Sequence, residues 1–116
     1  MPERFSSSAE VVFLDRDRVI RDLRAAAAEA KRVYPEILKV FLFGSLVDGT
    51  WTADSDADLM IVVRKEFSDF FESCRYQIYT NSIPTDSLVY PAAEFEQLAQ
   101  DPESFVSRNL SRALEL

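Results

Sequence analysis

Residues 41–63 read FLFGSLVDGTWTADSDADLMIVV, and this stretch decides the fold. It divides into an apolar run, a Gly-Ser turn, a short polar connection and a second apolar run. Leu38 to Phe43 is almost continuously apolar, with β-branched and aromatic residues, as a strand buried on both faces requires. Gly44 ends it. Ser45 to Gly49 fit one helical turn, and Trp51 to Ser55 an irregular loop. Leu59 to Val63 repeats the buried-strand pattern. Asp56 and Asp58 open this second strand two positions apart, so their side chains share a face. Two carboxylates side by side at the mouth of a buried strand repel each other, and the arrangement is costly unless a cation neutralises them.

Upstream, Arg16 to Tyr34 carries a helical pattern, with Ile20, Leu23, Ala27, Ala30 and Tyr34 forming one apolar stripe. Asp15 suits the N-cap, and Asp17 in the first turn suits the helix dipole. Ala25 to Ala28 favour helix and keep its surface low enough to approach a sheet closely. Pro35 stops it. Before it, Glu10 to Leu14 reads as a short edge strand, and residues 1–9 as a loose polar segment.

Downstream, the spacing of Phe67, Phe70, Phe71, Cys74 and Ile78 predicts a helix over Glu66 to Tyr79, with Cys74 as a small core residue. Asn81 to Pro84 form a turn. Thr85 to Tyr90 form a third strand, with Asp86, Leu88 and Tyr90 on one face. Pro91 suits the first position of a helix that turns Phe95 and Leu98 inwards. A terminal helix follows Asp101-Pro102, with Phe105, Val106, Leu110 and Leu114 apolar. Trp51, Tyr79 and Tyr90 read as packing residues. The expected architecture is α/β (α+β): a small mixed sheet of three to four strands flanked by helices, one domain over 1–116.

Composition narrows the chemistry. The chain has 116 residues and a net charge of −7. Residues 1–40 hold eight Lys/Arg against seven Asp/Glu, whereas 41–116 hold five against thirteen. A basic face for direct nucleic-acid binding is therefore not expected. There is no His, which removes His-containing zinc sites, His general bases and Ser-His-Asp triads. Any metal is expected to be a hard cation held by carboxylates. A single cysteine, no apolar run long enough for a membrane span and no signal-peptide pattern suggest a cytoplasmic protein.

Asp86 is the candidate third carboxylate, because it stands alone in an apolar strand where an unused charge is costly. If that strand neighbours Leu59 to Val63, Asp56, Asp58 and Asp86 meet at one end of the sheet. Their carboxyls are then expected within a few ångströms of one another. Three carboxylates of this kind can hold two divalent ions about 3.5–4 Å apart for a phosphoryl-type transfer. Gly44 lets a phosphate approach the backbone, and the Ser45 hydroxyl can help to cradle it. Arg64 and Lys65, at the end of the second strand, are candidate phosphate contacts. Each feature has a plain structural explanation when taken alone: a common turn, an Asx-type loop, an edge-strand charge, a solvated strand end. Their joint spacing is far harder to explain that way.

Gly44-Ser45, Gly49 and Ser55-Asp56-Ala57-Asp58-Leu59 together resemble the signature of the nucleotidyltransferase superfamily with the DNA polymerase beta-like fold. The size resembles that of the minimal nucleotidyltransferases, many of which are antitoxins of HEPN/MNT toxin–antitoxin modules. The resemblance implies two Mg²⁺ ions on Asp56, Asp58 and Asp86, with these three as the catalytic residues. It implies ATP as substrate, bound at Gly44, Ser45 and Gly49, and transfer of AMP to a hydroxyl with release of pyrophosphate. It further implies a small helical HEPN-type toxin as partner and acceptor; a homo-oligomer is also compatible with the sequence. One departure stands out. Where the pattern carries Arg one position before the second Gly, and often another two positions earlier, this chain has Asp48 and Leu46. That departure motivates an alternative, a weak or inactive member that acts by binding its partner. A small-molecule nucleotidyltransferase is a further alternative, although 116 residues leave little room for an acceptor domain.

Overall fold

The computed structural model describes residues 15–116. The expected strand at residues 10–14 and the loose segment 1–9 lie outside the described residues. Helix α1 (Arg16–Val33) begins where the sequence places it, with Asp15 Oδ1 accepting from the Arg18 amide at 3.2 Å. Val19, Leu23 and Ala27 form its buried line, while Ile20 and Ala30 pack at the margin.

Strand β1 (Ile37–Phe43) leads into a single turn of helix, α2 (Ser45–Asp48), and the chain returns as β2 (Ala57–Val63). Then come a short helix α3 (Phe70–Ser73), a 3-10 turn (Cys74–Tyr76) and β3 (Thr85–Pro91). Helices α4 (Ala92–Gln100) and α5 (Phe105–Leu110) and a short strand β4 (Leu114–Glu115) complete the order. The sheet runs β3-β2-β1-β4. β1 is antiparallel to both β2 and β4, and β2 is parallel to β3, so the sheet is mixed as expected.

Period-two alternation splits the core into two layers. Val40 and Leu42 of β1 and Ala57, Leu59, Ile61 and Val63 of β2 face α1, together with Leu46, Tyr76 and Ile78. Phe41, Phe43, Met60 and Val62 face the other way, against Phe95 of α4 and Val106 of α5. The pairing slips between Ile37 and Lys39, leaving Leu38 extra, which lets Ile37 join Val40 on the α1 face. Full burial of leucines such as Leu23, Leu42 and Leu59 contributes about 1.5–3 kcal/mol each. The two-sided burial expected of β1 holds from Val40 onwards, because Leu38 and Lys39 are exposed.

Three expectations are corrected. The helix over residues 66–79 shrinks to one α turn and one 3-10 turn. Phe70, Phe71 and Tyr79 are 75%, 81% and 73% exposed, and Cys74 is exposed too. The segment after Tyr76 is extended instead, bound along β3: Gln77 Nε2 donates to Ser87 O at 3.2 Å, and Thr85 Oγ1 donates to Ile78 O at 2.5 Å. Serine and aromatic residues are indifferent helix formers, so these pairings prevail over local propensity. Pro91 ends β3 and caps α4 from outside rather than occupying its first position. Leu114 lies in β4, whose neighbour Leu116 donates its amide to Val40 O at 2.8 Å.

Candidate functional site

The parallel pairing of β2 with β3 sets Asp58 directly beside Asp86. The antiparallel pairing of β1 with β2 sets Phe43 on the other side of Asp58. One row thus crosses three strands as Phe43, Asp58, Asp86, at the end of the sheet where β1 finishes and β2 starts. Alternation puts Asp58 on the face of Met60 and Val62, the face that α4 and α5 cover further along. Asp56 immediately precedes β2 and is exposed, as is Asp86 on its edge strand. The loop that delivers Asp56 is tied to itself: Ser55 Oγ accepts from the Thr52 amide at 2.8 Å, and Thr52 Oγ1 accepts from the Asp54 amide at 3.3 Å.

Gly44 forms the adjoining wall. Its φ of 86° and ψ of −151° belong to a region that side-chain-bearing residues avoid. A Cβ placed there would collide with Asp58 Oδ2 and stand 3.4 Å from Asp58 Cγ. The glycine therefore allows the turn and the Asp58 carboxyl to share one place. α2 is anchored from below by Leu46, which is fully buried. Leu46 is thus a core residue in this chain. Arg16 ties the same turn to α1, donating through Nε to Leu46 O at 2.7 Å and lying 5.6 Å from the Trp51 ring centre. Gly49 closes α2 in the left-handed conformation, its amide bonded to Ser45 O at 3.1 Å.

Burial raises the Asp58 pKa above the ordinary carboxylate value, and the charges of Asp86 and then Asp56 raise it further. No ion pair among the described residues engages any of the three. The strands gather the carboxylates as expected, but the side chains are not closed on a common point. Among the described residues, no group of three acidic or cysteine side chains is arranged to hold a metal ion. The two exposed members are free to point into water, which is what like charges do without a cation between them. As a donor set, anionic oxygens on paired strands, without an ion pair among the described residues, still fit a hard divalent cation.

The basic candidates fare differently. Arg64 and Lys65 follow the far end of β2, about 20 Å from Asp58 at the rise of a strand. Lys65 pairs with Glu72 at 3.2 Å, and the Arg64 amide donates to Glu36 O at 2.8 Å. Both side chains therefore stand at the end of β2 opposite the aspartates, away from the Gly44 turn. Basic residues at the correct end come instead from α5 and the turn after it. Arg108, Asn109 and Arg112 line a cleft of about 360 Å³ with Phe43, Gly44 and Asp48. Arg112 Nη1 lies 3.2 Å from Asp48 Oδ1, so the acidic departure in the glycine turn has a cationic partner. Spacing gave no hint of these residues, because only the docking of α5 on β1 brings them to the turn.

Comparison with known proteins agrees with this architecture. The nucleotidyltransferase domain family matches residues 23–109. A candidate nucleotidyltransferase from Sulfolobus solfataricus, solved by crystallography, is similar in structure with a TM-score of 0.58. The two are 20% identical, over 71% of this chain and 75% of the other, a likeness of fold alone. No curated protein matches the chain.

Proposed function

Because the chain belongs to the nucleotidyltransferase domain family, we propose that it transfers AMP from ATP to a hydroxyl on a partner protein, releasing pyrophosphate. The observation that carries this is the side-by-side placement of Asp58 and Asp86 on paired strands, against Gly44, with no ion pair to either among the described residues. Asp56, Asp58 and Asp86 are the residues that would hold Mg²⁺, after the exposed pair swings inward. Bound there, the metal supplies charge neutralisation for the phosphoryl oxygens and lowers the pKa of a coordinated hydroxyl.

The remaining roles belong to the chain itself. Gly44 brings backbone close to the phosphates, and the Ser45 hydroxyl donates to a phosphate oxygen. Asp86, exposed on the edge strand, would accept the proton of the acceptor hydroxyl. A protein acceptor is favoured by the surface beside Asp86. A cleft of about 420 Å³ runs from it past Phe70, Gln77, Leu88 and Tyr90, and Phe71 and Tyr79 are exposed nearby. Exposed apolar area of this kind marks contact with another macromolecule. That the partner is a HEPN-type toxin neutralised by the transfer rests on the motif resemblance.

The test is transfer of label from α-labelled ATP in Mg²⁺ to a partner encoded beside this chain, with Asp58→Asn and Asp86→Asn as controls. Label on the partner that both substitutions abolish is the expected result. Absence of transfer from every nucleoside triphosphate refutes catalysis. A second reading, neutralisation by binding alone, is favoured by the carboxylates that are not closed into a cage. In that case the Asp56→Asn/Asp58→Asn protein still neutralises its partner.

A further inference from the structure

We propose that Arg108 and Arg112 form the clamp for the outer phosphates of the bound nucleotide, replacing the basic residues that the glycine turn lacks. This rests on the reading that the Gly44 turn receives a triphosphate.

Of the five basic residues in 41–116, three are accounted for elsewhere. Lys65 is paired with Glu72, Arg64 follows the far end of β2, and Arg75 acts with Lys65 on the Glu36 carboxyl. Of these five, Arg108 and Arg112 stand at the end of the sheet that carries the aspartates; Arg16 of α1 also reaches α2 there, but its Nε is held by Leu46 O. The chain continues in tight turns past α5, with the Arg112 amide on Asn109 O at 3.2 Å. Residues four apart then lie on one side, so the two guanidinium groups line the same cleft. Gly44 is a wall of this cleft, and its other side is the Asp58 carboxyl. A chain of phosphates crossing Gly44 therefore meets carboxylates at one end and guanidinium groups at the other.

The charges suit that occupant. Two guanidinium groups against one carboxylate leave the cleft cationic within a strongly acidic half. Arginine presents paired N–H donors that match phosphate oxygens. Asp48 acts as a placeholder: it occupies Arg112 until a stronger anion arrives. The pair is exposed, with Arg112 at 72% and Asp48 at 34%, and exposed pairs are weak enough to exchange.

Inorganic tripolyphosphate is the probe, since it carries the phosphates without base or acceptor. Binding is measured by calorimetry at fixed low ionic strength with Mg²⁺ present, alongside binding of Mg-ATP. Arg108→Gln and Arg112→Gln are each expected to weaken tripolyphosphate about tenfold, with lysine at either position restoring part of the loss. Asp48→Asn is expected to tighten it roughly threefold by releasing Arg112. Arg75→Gln, an equal charge change at the far end, is expected to leave it unchanged. Tripolyphosphate binding that survives both glutamine substitutions overturns the clamp. So does an equal loss in Arg75→Gln, which would mean diffuse attraction. If Asp58→Asn still abolishes Mg-ATP binding in either case, the nucleotide reading stands without the clamp. Wild-type protein that binds neither probe refutes both.

Discussion

Gly44→Ala tests the join between the turn and the carboxylates. Two costs add. The first is conformational: φ 86° with ψ −151° is a region reserved for glycine, and an alanine held there costs about 1–3 kcal/mol. The second is steric: the new methyl meets Asp58 Oδ2, forcing that carboxyl off its rotamer for about 1–2 kcal/mol more. The sum is about 2–5 kcal/mol. Gly49→Ala is the control. It has the same φ of 86° but a ψ of 12°, and its added methyl meets nothing within 4 Å. Only a left-handed backbone penalty of about 1–2 kcal/mol applies there. The steric cost is isolated by repeating Gly44→Ala in an Asp58→Ala background. The nearest remaining atom is then the residue-58 Cβ at 3.5 Å, an ordinary contact. The double mutant should be more stable than the two single changes predict by about 1–2 kcal/mol. Urea unfolding without divalent metal, with the slope unchanged across variants, gives the three differences. Additivity within about 0.4 kcal/mol, or equal costs at the two glycines, refutes the claim that Gly44 serves the Asp58 carboxyl.

The other predictions follow from burial and charge. The Asp58 pKa is raised by burial, then by Asp86 and Asp56, so its contribution to stability is full below the ordinary carboxylate range and is lost as pH rises through the raised value. Asp58→Asn should therefore stabilise the metal-free protein at pH 7, by less than about 1 kcal/mol after solvent screening, and lose that advantage in acid; melts at pH 7 and pH 3 compare them. A destabilised Asn variant at pH 7 would mean that the carboxylate has a cationic partner. Tyr76, buried and donating to Glu36 Oε2 at 2.7 Å, has its pKa pushed from 10.0 to about 12, chiefly by burial and then by that hydrogen bond. Its contribution is full below pH 10 and lost as pH rises through about 12, so Tyr76→Phe should flatten the alkaline unfolding of the wild type. Leu42→Ala, emptying a fully buried position in the central strand, should cost about 2–5 kcal/mol in urea unfolding.

Where sequence and structure agree, the signal was local. Asp15 caps α1 because a carboxylate two or three residues before free amides can do so in any context. β1 and β2 are strands because their apolar runs are too continuous for one-sided burial. Where they differ, a distant partner decided. Phe70 and Phe71 have helix-like spacing, but Gln77 to Tyr79 are drawn out along β3, leaving too little chain for a long helix. Leu114 fits a helical stripe equally well, but the exposed edge of β1 recruits it into a strand. Arg64 and Lys65 follow the site in sequence, yet a seven-residue strand carries them to the opposite end of the sheet.

The chain alone determined the glycine turn, the Asp-x-Asp strand opening and the two buried strands that flank them, because each depends on backbone freedom or side-chain period within a few residues. Only the folded arrangement decided that Asp86 stands beside Asp58, that their carboxyls are not yet closed into a cage, and that Arg108 and Arg112 reach the glycine turn. These are facts about strand register and helix docking, set by burial summed over the whole core, and no short stretch of sequence contains them.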